Sequence, residues 1–450
     1  MSVAQQVVEE VTALLGEGSV AWDNLSSEQQ ASVMSAIAPT ASPPAAIAYP
    51  TTTEALSQLI ALAHQNKWRI LPTGQGSKLS WGGLANNIDL VISTAKLNRV
   101  VDHAIGDFTI TVEPGLRFTD LQSQLAAAGQ LLAIDPAFPN QATVGGIVAT
   151  ADAGSLRQRY GGLRDMLIGV QFARHDGELA RAGGRVVKNV AGYDLMKLMT
   201  GAYGSLGILS ELTFRLYPLN KVSRTLILTG GETAIEAAIA EVRMSGLTPV
   251  ALDLTLARQT AAITDSEENS HMSIVARFQG IAEGVEEQTE RLQKIAQTRN
   301  MTVQQLDGEA DKAYWQKVSK LIKADTLFCK VGMRPSALPA LLAMLEGIGT
   351  AEDKLHQSAQ VILHGSSGLG WVQWPSAEAE NPEIIAALEK MRSHCQNNGG
   401  FLTILQAPST LKQSIDIWGY TGNALKVMSD IKQKFDPDRR LSPGRFIGGL

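Results

Sequence analysis

Two groups of residues in this 450-residue chain have types and spacings that could do chemistry, and the first is the run ILPTGQGSKLSWGG at residues 70–83. Glycines and small hydroxyls after an apolar stretch put successive backbone N–H groups in a tight turn, an anion-binding concavity suited to phosphate. The run is not a Rossmann fingerprint, because from Gly74 and Gly76 the third glycine would fall at Leu79. Nor is it a Walker loop, since Ser77 separates Gly76 from Lys78. A plain turn with Lys78 merely solvated is the alternative. The second group is the seven histidines, at 64, 103, 175, 271, 356, 364 and 394. No pair has His-x-x-x-His spacing, which argues against a two-histidine metal site. Cys329 and Cys395 are the only cysteines, too few for a four-thiolate metal or iron-sulfur site and in no need of a disulfide framework.

The elements that must position these residues divide a long chain. At 48.1 kDa it can bury a large core and is expected to form two or three domains. With 39 Lys plus Arg against 44 Asp plus Glu and no basic run, nucleic acid and anionic membrane surfaces are not favoured partners. The start, MSVAQQVVEEVTALLG, spaces its apolar residues as an amphipathic helix and carries glutamates, unlike a secretory signal. No stretch reaches transmembrane length. PTASPPAAIAYP (39–50) reads as a linker.

Thr51 and Glu54 form a candidate capping box for a helix carrying Leu56, Leu59, Ile60 and Ala63 on one face. WRIL reads as a strand feeding the glycine loop, and IDLVIST as a buried strand. FTITVEP reads as a half-buried strand with Phe108, Ile110 and Val112 inward. A helix from Thr119 should stop at Gly129. Residues 140–210 hold 13 of the 41 glycines, several as pairs, a density that lets backbone approach a flat ligand or simply makes tight turns. Ile208, Leu212, Phe214 and Leu216 then mark a strand. From 221 to about 400, strand and helix patterns alternate as in an antiparallel sheet with helices on one face.

In order, the glycine loop, EPGLRFTDLQSQLAAAG, DPAFPNQATVGGIVATADAGSLRQRYGGLRDMLIGV, GGRVVKNVAGYDLMKLMTGAYGSLGILSELTFRLYP and the C-terminal FDPDRRLSPGRF resemble the PCMH-type FAD-binding domain of the vanillyl-alcohol oxidase superfamily. Within it, GSKLSWGG and GGRVVKNVAGYDLMKL are most similar to FAD-binding subunits of glycolate oxidase (glycolate dehydrogenase) complexes. The resemblance implies an α+β chain: a helical extension and linker (1–41), a PCMH-type FAD-binding domain (42–221), an α+β cap domain (222–405) and a C-terminal segment returning to the FAD domain (406–450). It implies that Thr73, Gly74, Gln75, Gly76 and Ser77 wrap the FAD pyrophosphate. Further cofactor contacts are implied for Asp135, Pro136, Thr143, Gly145, Gly146, Ala149, Gly154, Ser155, Arg159, Gly161, Gly207 and Ile208. Among these, Gly145 and Gly146 would donate main-chain hydrogen bonds to the flavin, and Ile208 would bond the adenine or ribose side.

Many members hold FAD through a histidine in the first loop; here Gln75 and Gly76 stand there, so FAD is expected to be non-covalent. Related 2-hydroxyacid dehydrogenases carry a His-x-Gly-x-Gly-x-x-His type motif in the second domain. LHGSSGLGWVQW resembles a worn copy, with His364 at the first histidine and Trp371 at the second. No metal is expected, and no catalytic residue is identified. Two functions follow: oxidation of glycolate or another small 2-hydroxy acid at FAD, with an arginine gripping the carboxylate, or an electron-transfer or structural role beside a catalytic flavoprotein. The expected partners are a second FAD-binding subunit with an intact histidine motif and an iron-sulfur subunit. The expected location is cytoplasmic, peripheral to a membrane through the complex. A cell-wall precursor reductase of the same superfamily would use NADPH, and KNVAGYDLMKL points away from it.

Overall fold

The computed structural model describes residues 2–185, 192–265, 272–348 and 358–450. They form two compact units: Met1–Asp152, Gly162–Pro218 and Tyr420–Leu450 in the first, Ala153–Gly161 and Leu219–Gly419 in the second.

In the first unit a four-stranded sheet runs in the order Ser19–Ala21, Ala46–Ala48, Leu90–Ser93, Ile70–Thr73. Only the first pair is antiparallel. Its central strands are buried on both faces, as continuous apolar runs in parallel pairs should be. Ala46, Ala48, Leu90, Ile92 and Ile70 point to helices Val3–Leu15 and Thr53–Gln65, while Ile47, Val91 and Leu71 meet Val33 and Ile37 on the other side. Residues 1–41 therefore contribute helices to both faces of this sheet, where the sequence had implied an extension. The expected linker contains the buried strand Ala46–Ala48.

Helix Thr53–Gln65 is capped one residue later than expected: Thr52 Oγ1 accepts the Ala55 N–H at 3.1 Å. The second sheet is antiparallel, in the order Val100–Ala104, Thr109–Val112, Ile208–Arg215, Leu167–Ala173, Leu179–Gly183. Thr109–Val112 is buried at all four positions, not half-buried. Its outward Thr111 hydroxyl is satisfied by Thr213 at 2.9 Å, so a polar residue sits in the interior without loss. Phe108 lies outside the strand in a left-handed conformation. Helix Phe118–Ala127 is followed by Gly129 at φ 69°, the expected stop.

The tail rejoins the first unit from Tyr420 rather than residue 406. Arg440 and Ser442 exchange backbone hydrogen bonds with Ile70 at 2.8 and 2.9 Å, adding the tail to the edge from which the glycine loop springs.

The second unit is an eight-stranded antiparallel sheet: Thr302–Asp307, Val222–Gly230, Met272–Gly280, Ala251–Leu256, Gln360–His364, Leu369–Pro375, Thr326–Gly332, Phe401–Gln406. Helices Glu232–Met244, Ala282–Gln297, Leu338–Glu346 and Pro382–Asn397 bury the main core on one face. A smaller cluster of Ile263 and Tyr314 with Ile227 and Val275 covers part of the opposite face.

Candidate functional site

Strand Ile70–Thr73 delivers the chain into the glycine loop, whose carbonyls are tied down from outside. Ser93 Oγ donates to Gly74 O at 2.8 Å and Thr94 Oγ1 to Thr73 O at 3.2 Å, while Leu79 N–H closes onto Gly76 O at 3.0 Å. The N–H groups of Gln75, Gly76, Ser77 and Lys78 find no acceptor among the described residues. A run of uncommitted amides on a pinned turn is a ready anion cradle. Gly76 sits at φ 85°, which favours glycine there.

The loop forms one wall of a cleft within the first unit. Thr73, Gly74, Gln75, Gly76 and Ser77 line it together with Thr143, Gly145, Gly146, Ala149, Gly207 and Ile208, all singled out from the sequence. Behind the loop lies a second cleft, which shares Gly74 to Gly76 and is walled by Glu28, Gln29 and Ser32 of helix Ser27–Met34.

Six expected contacts are not among the lining. Asp135 and Pro136 lie in the irregular stretch before Ala137, and Gly154, Ser155, Arg159 and Gly161 fall in the segment that clusters with the second unit. There Ser155 Oγ donates to Asp253 Oδ2 at 2.5 Å. Gly145 and Gly146 line the cleft, but their N–H groups are spent inside the protein, on Pro114 O at 2.7 Å and Thr143 Oγ1 at 3.3 Å. Glycine at 74 and 145 answers a protein contact: a Cβ would come within 2.2 Å of Thr143 Oγ1 and 2.5 Å of Pro114 Cβ, respectively. Ile208 pairs with Ala173 at the start of its strand. Of GGRVVKNVAGYDLMKL, residues 186–191 lie outside the described residues; beyond them Asp194 caps helix Leu195–Met199.

Two cations line the same cleft. Lys78 is buried, not solvated, with Nζ 2.6 Å from Asp152 Oδ2 and 5.5 Å from the Trp81 ring centroid. Asp152 Oδ2 also accepts the Ala137 N–H at 2.8 Å. Arg445, from the C-terminal tail, donates through Nη1 to Ala36 O at 3.3 Å and through Nη2 to Leu79 O at 2.9 Å and Trp81 O at 2.6 Å. Burial depresses its pKa to about 10, with Tyr203 acting weakly the other way. Tyr203 also lines the cleft, and burial raises its phenol pKa. Neither Arg445 nor Asp152 was marked by the sequence, although Arg445 falls within FDPDRRLSPGRF.

In the second unit His364 ends strand Gln360–His364, with Nδ1 2.7 Å from Asp253 Oδ1 and both side chains buried. Asp253 thus holds His364 and Ser155 at once. An imidazole fixed through Nδ1 by a carboxylate keeps Nε2 as its proton-handling atom. Trp371 stands across from Ile362, its ring centroid 5.9 Å from that of Phe328. Among the described residues no group of three His, Cys, Asp or Glu could hold a metal, and His271 and His356 lie outside them. No helix among them is long and apolar enough to cross a membrane.

Residues 44–183 match the family described as FAD binding domain. The chain is 26% identical over 431 residues to the mitochondrial D-lactate dehydrogenase [cytochrome] of Arabidopsis thaliana, covering 90% of this chain and 73% of that protein. It is 31% identical over 198 residues to glycolate oxidase subunit GlcE of Escherichia coli (strain K12), covering 44% of this chain and 55% of that one. The structure of p-cresol methylhydroxylase with substrate bound superposes with a TM-score of 0.74 at 17% identity, over 98% of this chain and 96% of that one. The fold is thus the PCMH-type FAD-binding fold with mixed α+β units, and the cofactor is FAD. A cleft with open amides, two buried cations and a lining of small, hydroxyl-bearing and apolar residues fits such a dinucleotide.

Proposed function

We propose that this FAD-dependent oxidoreductase is the FAD-binding subunit of a complex that oxidises glycolate, or a closely similar 2-hydroxy acid, to the 2-oxo acid. The observation that carries the reading is the first unit's cleft, where the free N–H groups of Gln75 to Lys78 would hold the FAD diphosphate. Thr143, Ala149, Gly207 and Ile208 would enclose the remainder. Bound FAD supplies the two-electron acceptor that the protein's side chains lack. The substrate class is drawn from the relatives: lactate and glycolate are both 2-hydroxy acids, and their oxidation removes two electrons and two protons from the alcohol carbon and its hydroxyl.

The subunit reading rests on the word subunit in the name of the GlcE relative and on what this chain cannot carry. Two cysteines, both buried, cannot supply the four thiolates of a ferredoxin-type iron-sulfur cluster, so onward electron carriers of that kind would belong to another polypeptide. The expected companions are a second FAD-binding subunit with an intact histidine motif and an iron-sulfur protein, which would also provide any membrane association. A stand-alone dehydrogenase is the second reading. It is favoured by the D-lactate dehydrogenase match, which extends through the second unit, and by the Asp253–His364 pair, which offers a proton acceptor.

Dye reduction with glycolate and with D-lactate, by the purified chain and by material copurified from native lysate, tests both. Activity only in the copurified complex supports the subunit reading. Turnover by the isolated chain at a rate on the order of 10 per second would replace it with the second. Inertness of both preparations toward both acids would remove the substrate class.

A further inference from the structure

The cleft is electrically unbalanced. Among the described residues Lys78 and Arg445 are the charged ones on its walls, and Lys78 already has Asp152. Arg445 is equally buried, yet its three hydrogen bonds all go to neutral carbonyls, of Ala36, Leu79 and Trp81, and no carboxylate among the described residues pairs with it. Three carbonyls could be bridged by neutral donors. Burying an ion to do so is costly unless an opposite charge arrives. Two of the five guanidinium N–H bonds are left over from those three contacts.

The tail is built to hold this side chain in place. Gly83 N–H bonds Arg445 O at 2.9 Å and Asn86 N–H bonds Pro443 O at 3.0 Å. Ser442 and Gly444 adopt φ 49° and 87°, so the turn between them carries a left-handed residue that is not glycine. Such a conformation persists where the surroundings over-determine it.

We propose that Arg445 is the cation that answers the negative charge of FAD in this cleft, making the C-terminal turn part of the cofactor site. The inference rests on reading the cleft as the FAD site. The charge it meets is either the diphosphate or the anionic pyrimidine edge of the reduced ring, and two measurements separate them.

The experiment compares wild type, Arg445→Gln and Arg445→Lys by FAD titration of apoprotein, by midpoint potential of the bound flavin, and by thermal unfolding of the apoprotein. If the partner is the diphosphate, Arg445→Gln weakens FAD binding roughly 10- to 100-fold, as loss of a charge-assisted contact does, with the midpoint potential unchanged. If the partner is the reduced ring, affinity for oxidised FAD is kept and the potential falls. In either case Arg445→Lys restores most of the loss. Wild-type affinity and potential in Arg445→Gln would overturn the proposal. So would equal damage in both variants accompanied by a lower apoprotein melting temperature, which would mark a structural tie. Failure of the wild type itself to bind FAD would instead remove the underlying reading of the cleft.

Discussion

Lys78 Nζ lies 2.6 Å from Asp152 Oδ2 with both side chains nearly withdrawn from solvent, joining the glycine loop to the end of the first long segment of its unit. Asp152 also receives the Ala137 N–H, so three stretches of chain meet at one carboxylate. Removing one member of a buried pair strands the other charge, at a cost of about 3–5 kcal/mol. Asp152→Asn and Lys78→Met should each lower stability by about that much in denaturant titrations and reduce bound flavin. The double variant should lose less than the sum. Strict additivity would show that the two charges do not act as a pair.

Gly74 and Gly145 are predicted to fail for packing reasons. An alanine at 74 would meet Thr143 Oγ1 at 2.2 Å, and one at 145 would meet Pro114 Cβ at 2.5 Å. Gly74→Ala should therefore lower the melting temperature of the apoprotein as well as its flavin content. Thr143→Ala, which removes the clashing oxygen, should return part of the stability. A Gly74→Ala apoprotein that melts as wild type while losing only FAD would mean that the glycine serves the ligand alone.

The legible parts of the site were those whose residues are consecutive. A glycine loop after an apolar strand announces itself because the hydrogen-bonding peculiarity is local. Arg445 could not be read the same way, since its contacts at Ala36, Leu79 and Trp81 depend on a tail docking hundreds of residues away. The glycines at 145 and 146 were legible as cleft residues but not in role, because only the fold reveals that Pro114 and Thr143 take their N–H groups. Residues 154–161 carry plausible cofactor-site chemistry in sequence, yet Ser155 is drawn to Asp253 across the second unit. The strand at Ala46–Ala48 was hidden for a different reason: three residues among prolines and alanines are too short to show a period, and its burial comes from helices on both faces.

Asp253 accepts from Ser155 and contacts His364 Nδ1, so one carboxylate satisfies two buried polar groups. Asp253→Asn keeps the shape but loses the charge and one acceptor, and should destabilise the second unit by roughly 1–3 kcal/mol. Should the stand-alone reading hold, the same variant should lower kcat with glycolate or D-lactate, because the ring would lose its orientation. An Asp253→Asn protein with wild-type unfolding would show that the three groups are not coupled.

Burial raises the thiols of Cys329 and Cys395 from 9.0 to about 12. The folded chain then keeps two protons that the unfolded chain releases above its ordinary thiol pKa. Stability should be constant with respect to these groups below about pH 9 and fall as pH climbs toward about 12. Urea midpoints measured from pH 8 to 11 should show this decline, and Cys329→Val with Cys395→Ala should flatten it. Rapid carboxymethylation of the native protein at pH 8 would contradict the burial on which the sign depends.

FAD should leave this protein on acid precipitation. A covalent flavin link needs a nucleophile at the cleft wall, and the described lining residues include neither histidine nor cysteine; Gln75 and Gly76 occupy the loop where a histidine could serve. Tyr203 is a phenol on the same wall, but burial raises its pKa and keeps it in the protonated, unreactive form. Trichloroacetic acid treatment of the yellow holoprotein should put the flavin in the supernatant and leave a colourless pellet. A yellow pellet that becomes colourless in Tyr203→Phe would assign the link to that phenol.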